Sequence, residues 1–408
     1  MQPILKANNM ERVRFDINGP VYEEALKLER EGVRVLKLHA GNPALFGFKF
    51  PESLREPLMN GIDESAAYSN SKGMLEARQA IVDYHNGQKG FPNVTVDDVY
   101  TGNGVSELAE MLATALFNSG DEFLVPAPNY PLWSICAHMA GANPVNYMCD
   151  EQAGWVPDVS DIRRKITSKT KAILLINPNN PTGVVYSKEA LLDVLQVARE
   201  HNLVVISDEI YDRIVMDGVE HHSCAALAPD LFIITMNGLS KSHIVCGFRC
   251  GWMVFSGPKE HAQSFIQAIQ QICAMRLCSN TLAQVIIPAA LADSKYTQDM
   301  LQAGGRIYEQ RQATMDELTK LEPLGVTFVR PSASFYIFPK IDAKRYNITD
   351  DSKFCLDLVR EKHIMLVNGT GFDWPNPDHV RIVMLPKPEE MAQAIRDLGD
   401  FLQTYHQA

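Results

Sequence analysis

The chain is 408 residues long, with 46% hydrophobic and 21% charged positions, enough for a sizeable core and for more than one domain. Its 38 basic and 49 acidic residues leave a formal charge of −11, which opposes the phosphate neutralisation that nucleic-acid affinity rests on. No apolar run approaches the roughly 18–20 residues of a membrane span, and residues 1–17 lack the apolar core of a secretory signal; a cytoplasmic protein without nucleic-acid or membrane partners is expected.

Eight cysteines are scattered along the chain and none are spaced CxxC. Cys246 and Cys250, the closest pair, have no nearby set of His or carboxylate partners. They read as small buried hydrophobes in a reducing compartment, and no metal site is expected.

In chain order, VYEEALKLERE (21–31) has helical spacing and is stopped by Gly32, and VRVLKLH (33–39) reads as a strand running into AGNP. The strand ending in DVYTGNG leads through Gly102 and Gly104 into a helix that opens near Val105 and Ser106. Free N–H groups and the helix dipole at such a turn favour a phosphate. By itself the turn is weak evidence: Glu107 breaks a GxGxxG pattern, and the GK[ST] ending of a P-loop is absent.

KAILLI (171–176), LVVIS (203–207) and LFIITM (231–236) are short apolar runs suited to buried strands, and SKEALLDVLQVAREH (187–201) has the period of a crossover helix. This is the pattern of a doubly wound α/β sheet, mainly parallel. In such a fold ligands sit beyond the carboxyl ends of the strands. There the sequence places Asn177, Asn179 and Asn180, then Asp208 with Tyr211 three residues on, then Lys241 in NGLSK and Arg249 in GFRCGW. Each has a plain structural alternative: a turn cap for the asparagines, an N-cap for Asp208, a surface charge for the lysine. Burial among Gly, Ser and apolar residues would make the Lys241 amine nucleophilic and suited to Schiff-base chemistry.

Residues 257–322 are mostly helical in period. VTFVRP, SFYIFPKI, KFCLDLVREK, IMLV, HVRIVML and a helix from about 387 then suggest an α+β unit. We expect an N-terminal segment (1–49) packing on a small domain (311–408), and a large domain (50–310).

NPNNPTG, DEIYD, NGLSK and GFRCGW, in this order and spacing, resemble the signature set of the class I and II aminotransferases, pyridoxal-phosphate enzymes of fold type I. DINGPV, LHAGNP and HVRIVML extend the resemblance over essentially the whole chain, on the side of the bacterial alanine (glutamate-pyruvate) transaminases. The resemblance implies pyridoxal 5′-phosphate as cofactor. Lys241 would hold it covalently and later shuttle the proton, Asp208 would pair with its pyridine nitrogen, and Tyr211 and Asn180 would bond its phenolic oxygen. Arg249, Ser240 and the turn at Gly104, Val105 and Ser106 would bind the phosphate, with Tyr130 stacked on the ring.

For the substrate, Arg381 matches the arginine that grips the α-carboxylate, with Gly41 beside it. Tyr68 matches the tyrosine that reaches the neighbouring subunit's cofactor, which implies a homodimer with shared sites. Phe335, Tyr336, Phe372 and Trp374 could line a side-chain pocket or simply pack in the core.

The implied reaction moves an amino group between an L-amino acid and a 2-oxo acid, alanine/pyruvate with glutamate/2-oxoglutarate. Aspartate-type members carry an arginine four residues before a Ser-Asn pair; here Met275 holds that offset from Ser279 and Asn280, with Arg276 one place later. Asn18 stands where the alanine-type pattern Asp-Ile-Arg-Gly-Pro has arginine, with Arg14 nearby. Both departures weaken a second-carboxylate site. His39, His221, His222, His243 and Cys246 are expected to pack or face solvent. A carbon–sulfur β-lyase, or an aromatic or branched-chain transaminase, would suit the same scaffold. A ligand-sensing regulator would need a basic helix-turn-helix segment, which is not seen.

Overall fold

A computed structural model describes residues 3–293 and 295–408, apart from the side chain of Asn18. At its centre, runs of Val, Ile and Leu without polar alternation form strands covered on both faces. Eight strands lie side by side in the order Val99–Asn103, Cys250–Ser256, Ile233–Gly238, Val204–Asp208, Thr170–Ile176, Glu122–Ala127, Asn143–Asp150, Val156–Pro157. The pairings from Ile233–Gly238 across to Asn143–Asp150 are parallel, and those at the two margins are antiparallel.

Alternate side chains of each strand go to opposite faces. Ile173, Leu175, Val205 and Ile233 join one hydrophobic cluster, while Ala172, Leu174, Ile206 and Ile234 join the other. Crossover segments such as Lys188–Glu200, capped by Ser187 Oγ, cover these faces.

One detail of the topology positions the site. Cys250–Ser256 runs antiparallel to its neighbours, so it begins where they end: Gly251 pairs with both Gly102 and Gly238. Arg249 is thereby returned to the sheet edge where Gly104, Asp208 and Lys241 also emerge.

A third cluster joins the chain ends. Val21, Leu38 and Phe48 pack with Ile307, Leu358, Ile382 and Leu398, among others. The helix Pro20–Arg30 starts with proline at its first turn, where no intrahelical N–H partner is lost. The strand expected over 33–39 is reduced to Leu36–Lys37, because only Ile364–Met365 pairs with it. Likewise HVRIVML keeps strand pairing only over Val380–Val383, which sits between Tyr336–Ile337 and Val367–Asn368. Residues 257–322 are largely helical as expected, and the last helix is Pro388–Thr404. Among the described residues no helix is long and apolar enough to cross a membrane.

Candidate active site

The cleft between the sheet edge and the segment carrying both chain ends holds a cavity of about 300 Å³. Lys241 enters it from the short helix Leu239–Ser242, which follows the strand Ile233–Gly238 without a break. Its Nζ donates to the carbonyl oxygen of Gly41 at 3.0 Å. A primary amine is thus held at the junction of the two halves of the cavity wall.

Asp208 is the last residue of its strand and is 3% exposed. Trp133 Nε1 donates to its Oδ2 at 3.0 Å, and the Ile210 N–H to its Oδ1 at 3.2 Å. Burial nonetheless pushes its carboxyl up to about 6, against the opposing pull of Trp133, Ile210 and the Lys241 charge. A carboxylate kept in the dark with neutral donors is poised to welcome a cationic partner from the cavity.

Groups with the chemistry to bind an anion gather around Gly104. Gly104 has φ +81°, and a Cβ there would lie 2.3 Å from Arg249 Nη2, so this position must be glycine for the guanidinium to approach. The helix Val105–Leu116 opens beside it with free N–H groups. Arg249 donates to the carbonyls of Cys246 (2.8 Å) and Asn103 (3.3 Å), and among the described residues no carboxylate pairs with it. Asn103 is in turn held by Glu107 at 2.7 and 2.8 Å, and Glu107 by Arg276 at 2.6 Å. Ser240, Val105 and Ser106 line the same cavity.

Arg381 is 2% exposed and also lacks a carboxylate partner among the described residues. Its guanidinium carbon lies over the rings of both Tyr336 and Phe372, 4.6 and 4.5 Å from their centroids. It donates to Asn180 Oδ1 at 3.2 Å and to the His39 carbonyl, while its Nε has no partner. Burial lowers its pKa. Because Asn180 Oδ1 is engaged with Arg381, the Asn180 amide N–H groups are left to donate elsewhere.

A family model, aminotransferase class I and II, matches residues 33–398. The chain belongs to this family. It is 48% identical over 407 residues to the glutamate-pyruvate aminotransferase AlaA of Escherichia coli K12, covering the whole of both chains. It is 46% identical to an alanine aminotransferase of Mycobacterium tuberculosis, over 98% of this chain and 92% of that one. The crystal structure of an aminotransferase from Escherichia coli superimposes with a TM-score of 0.98 at 48% identity, covering both chains completely. The fold is therefore that of the fold type I aminotransferases.

In this aminotransferase the cavity brings together Gly41, Val105, Ser106, Tyr130, Asn180, Asp208, Tyr211, Ser240, Lys241, Arg249 and Arg381. Gly104 lies under Arg249 instead of on the cavity wall. Tyr68 is 79% exposed and does not line the cavity of its own chain. Of the four aromatics considered for a side-chain pocket, Tyr336 lines the cavity and Phe372 stacks on Arg381. Phe335 and Trp374 are core residues, the latter packed on Trp155 and His379.

Cys246 corrects the sequence expectation of a merely packed thiol: it lines the cavity, with Sγ 3.4 Å from Asn42 Oδ1. His243 does pack, between Ser242 Oγ and the ring of Tyr296. His39 is buried against Tyr22, and burial lowers its pKa to about 4. His221 bonds the Asn177 carbonyl at 3.0 Å, and His222 lies beside Glu220. Met275 is 78% exposed and Arg276 is committed to Glu107, so neither offers a cation to this chain's cavity. Arg14 is exposed, and the Asn18 side chain lies outside the described residues. Trp133 was missed by sequence reasoning. Its spacing from Tyr130 carries no signal until the fold brings it 3.0 Å from Asp208.

Proposed function

We propose that this aminotransferase binds pyridoxal 5′-phosphate at Lys241 and moves an amino group between an L-amino acid and a 2-oxo acid, with alanine/pyruvate and glutamate/2-oxoglutarate as its pairs. The observation that carries the reading is the placement of three cations, Lys241, Arg249 and Arg381, around one cavity with a single buried carboxylate, Asp208. The names of the relatives, alanine and glutamate-pyruvate aminotransferase, support the choice of substrates.

The residues fit the cofactor. The buried Asp208 carboxyl, raised to about 6, would be relieved by a protonated ring nitrogen. Arg249, Ser240 and the helix start at Val105 and Ser106 would take its phosphate. Tyr211 and the Asn180 amide would donate to its phenolic oxygen, and Tyr130 would cover one ring face. When bound, the cofactor supplies an electron sink that weakens the substrate Cα–H bond. Lys241 would then carry the proton away from Cα, and Arg381, held by the rings of Tyr336 and Phe372, would clamp the α-carboxylate.

Homodimerisation belongs to the same proposal. Met59, Tyr68, Leu75, Met275 and Leu277 are exposed, and their two segments are tied together by the Thr281 and Ser69 hydroxyls at 3.4 Å. This apolar face borders the Arg249 end of the cavity, where Asn280 Nδ2 bonds the Phe248 carbonyl. Tyr68 would thereby reach a partner's site. The cytoplasmic placement and the division into a large domain (50–310) and a small domain (311–408) joined by residues 1–49 are part of this reading; the shared cluster of Val21, Leu38 and Ile382 supports the latter.

Borohydride reduction of the holoenzyme followed by peptide mapping tests the reading, with label expected on Lys241. Label elsewhere, or none, refutes it. A panel of amino donors against pyruvate and 2-oxoglutarate then tests the substrates; pyruvate and ammonia released from cysteine conjugates without an oxo acid would indicate the lyase.

A further inference from the structure

The hydroxyls of Tyr211 and Tyr336 lie 2.7 Å apart, and both residues are 2% exposed. This is the only hydrogen bond of either phenol among the described residues. The fold holds Tyr336 there from several directions. Residues 331–336 are wedged between the asparagine-rich turn and the chain following Tyr211: the Ser332 and Ala333 N–H groups donate to the Gly183 carbonyl, Met216 N donates to the Ser332 carbonyl at 2.8 Å, and Val215 bridges Ala333. A Cβ on Gly41 would fall 2.2 Å from Tyr336 Oη. Gly41 is thus glycine so that this hydroxyl can stand in the cavity wall.

A buried phenol has one proton to give and lone pairs to accept with. If Tyr211 gives its proton to an oxygen in the cavity, as the proposed function requires, only its lone pairs remain for Tyr336, so Tyr336 must be the donor in their shared bond. A phenol that accepts one bond donates the next more strongly. Burial and the neighbouring Tyr336 raise the pKa of Tyr211, which keeps it a protonated donor.

We infer that Tyr336 is a positioning residue: its hydroxyl donates to Tyr211 and would aim the Tyr211 proton at the phenolic oxygen of the cofactor, lowering the pH at which the bound cofactor titrates. The inference rests on the proposed function. The same Tyr336 ring lies over Arg381 at 4.6 Å, so one residue serves the cofactor through its hydroxyl and the carboxylate arm through its ring face.

The two roles separate in Tyr336→Phe, which keeps the ring. In the holoenzyme variant, the visible-absorbance titration of the bound cofactor should move upward by about half a pH unit, as expected for one weakened hydrogen bond. The dissociation constant of pyridoxal 5′-phosphate from the apoenzyme should rise about two- to fivefold, and KM for the amino and oxo acids should hardly change. In a Tyr211→Phe background the same substitution should add nothing, because the effect runs through Tyr211. An unmoved titration overturns the inference, and so does an equal shift in the Tyr211→Phe background or a raised KM with the titration unchanged. Borohydride mapping of the same samples keeps the two readings apart: absence of label on Lys241 defeats the proposed function, whereas intact label with an unmoved titration defeats this inference alone.

Discussion

Lys241 Nζ meets the Gly41 carbonyl oxygen at 3.0 Å across 200 residues of chain. The bond joins the sheet edge, which carries Lys241, to the N-terminal segment, which packs with the C-terminal elements. It also parks the amine on a neutral acceptor and leaves the Asp208 carboxylate to Trp133 and the Ile210 N–H. The amine is therefore held in place without being locked into an ion pair.

Lys241→Ala should lower turnover at least about a thousandfold, because proton transfer at Cα loses its base as well as its anchor. Folding should suffer little, since a single neutral-acceptor hydrogen bond contributes about 0.5–1.5 kcal/mol. Multiple-turnover kinetics alongside a thermal melt would check both halves; sustained turnover in this variant would remove Lys241 from the chemistry.

Arg381→Lys should be nearly as damaging as Arg381→Ala. A lysine keeps the charge but has neither the planar fork for a carboxylate nor the flat group that packs on the rings of Tyr336 and Phe372. We expect kcat/KM for every carboxylate substrate to fall by an amount equivalent to about 2–5 kcal/mol, as when one partner of a buried charge pair is lost. Amine analogues without the carboxylate should show no comparable loss. Wild-type kinetics in the lysine variant would place Arg381 outside the substrate site.

In the proposed function Asp208 would link cofactor binding to pH. Its folded-state value, about 6, lies above the usual carboxylate range, so the folded apoenzyme holds a proton that the unfolded chain releases near pH 4. Stability from this group is complete below the unfolded value and is lost as pH rises toward 6. Asp208→Asn should therefore leave the apoenzyme at least as stable as the parent at pH 7–8, while weakening cofactor retention. Apoenzyme melts across pH 4–8, with cofactor titrations, give the comparison; a variant apoenzyme much less stable at pH 8 would contradict it.

Arg276 bonds Glu107 at 2.6 Å and the carbonyls of Ser71 (3.0 Å) and Thr101 (3.2 Å), with a side chain 13% exposed. Arg276→Met should cost about 1–3 kcal/mol of stability by leaving Glu107 without its cationic partner. Through Glu107 and Asn103 it should also loosen the turn at Gly104 and raise the cofactor dissociation constant. The ratio of kcat/KM for glutamate over alanine should stay constant. A selective loss of glutamate would show Arg276 serving a second carboxylate.

Much of the site could be read from one dimension because its residues sit at predictable places: Asn180, Asp208 and Lys241 each follow a buried apolar strand, and ligands in α/β folds lie beyond such strand ends. Gly104, with its helix start, is legible for the same reason. Arg249 is legible only through the resemblance, since nothing in its spacing says that the strand after it turns back antiparallel.

Other contacts had no local signature at all. Trp133 on Asp208, Tyr336 on Tyr211 and Cys246 on Asn42 depend on elements at least 75 residues apart meeting in space, and Phe372, though near Arg381 in sequence, reaches it only through the turn between their two segments. Aromatic residues on short apolar segments have the same local pattern whether they fill a core, as Phe335 and Trp374 do, or line a cavity.

The sequence by itself determined the doubly wound sheet and the candidate residues at its strand ends, because hydrophobic period and strand-end chemistry are local properties of the chain, and its motifs carried the resemblance to the family. Only the tertiary structure decided which of those groups face one another. The antiparallel return of Cys250–Ser256 brings Arg249 back to the Lys241 edge, and the packing of Val21 and Leu38 with Ile382 brings Gly41 and Arg381 over it. Those are long-range encounters, set by the burial of whole faces, and they turn separately legible residues into one site.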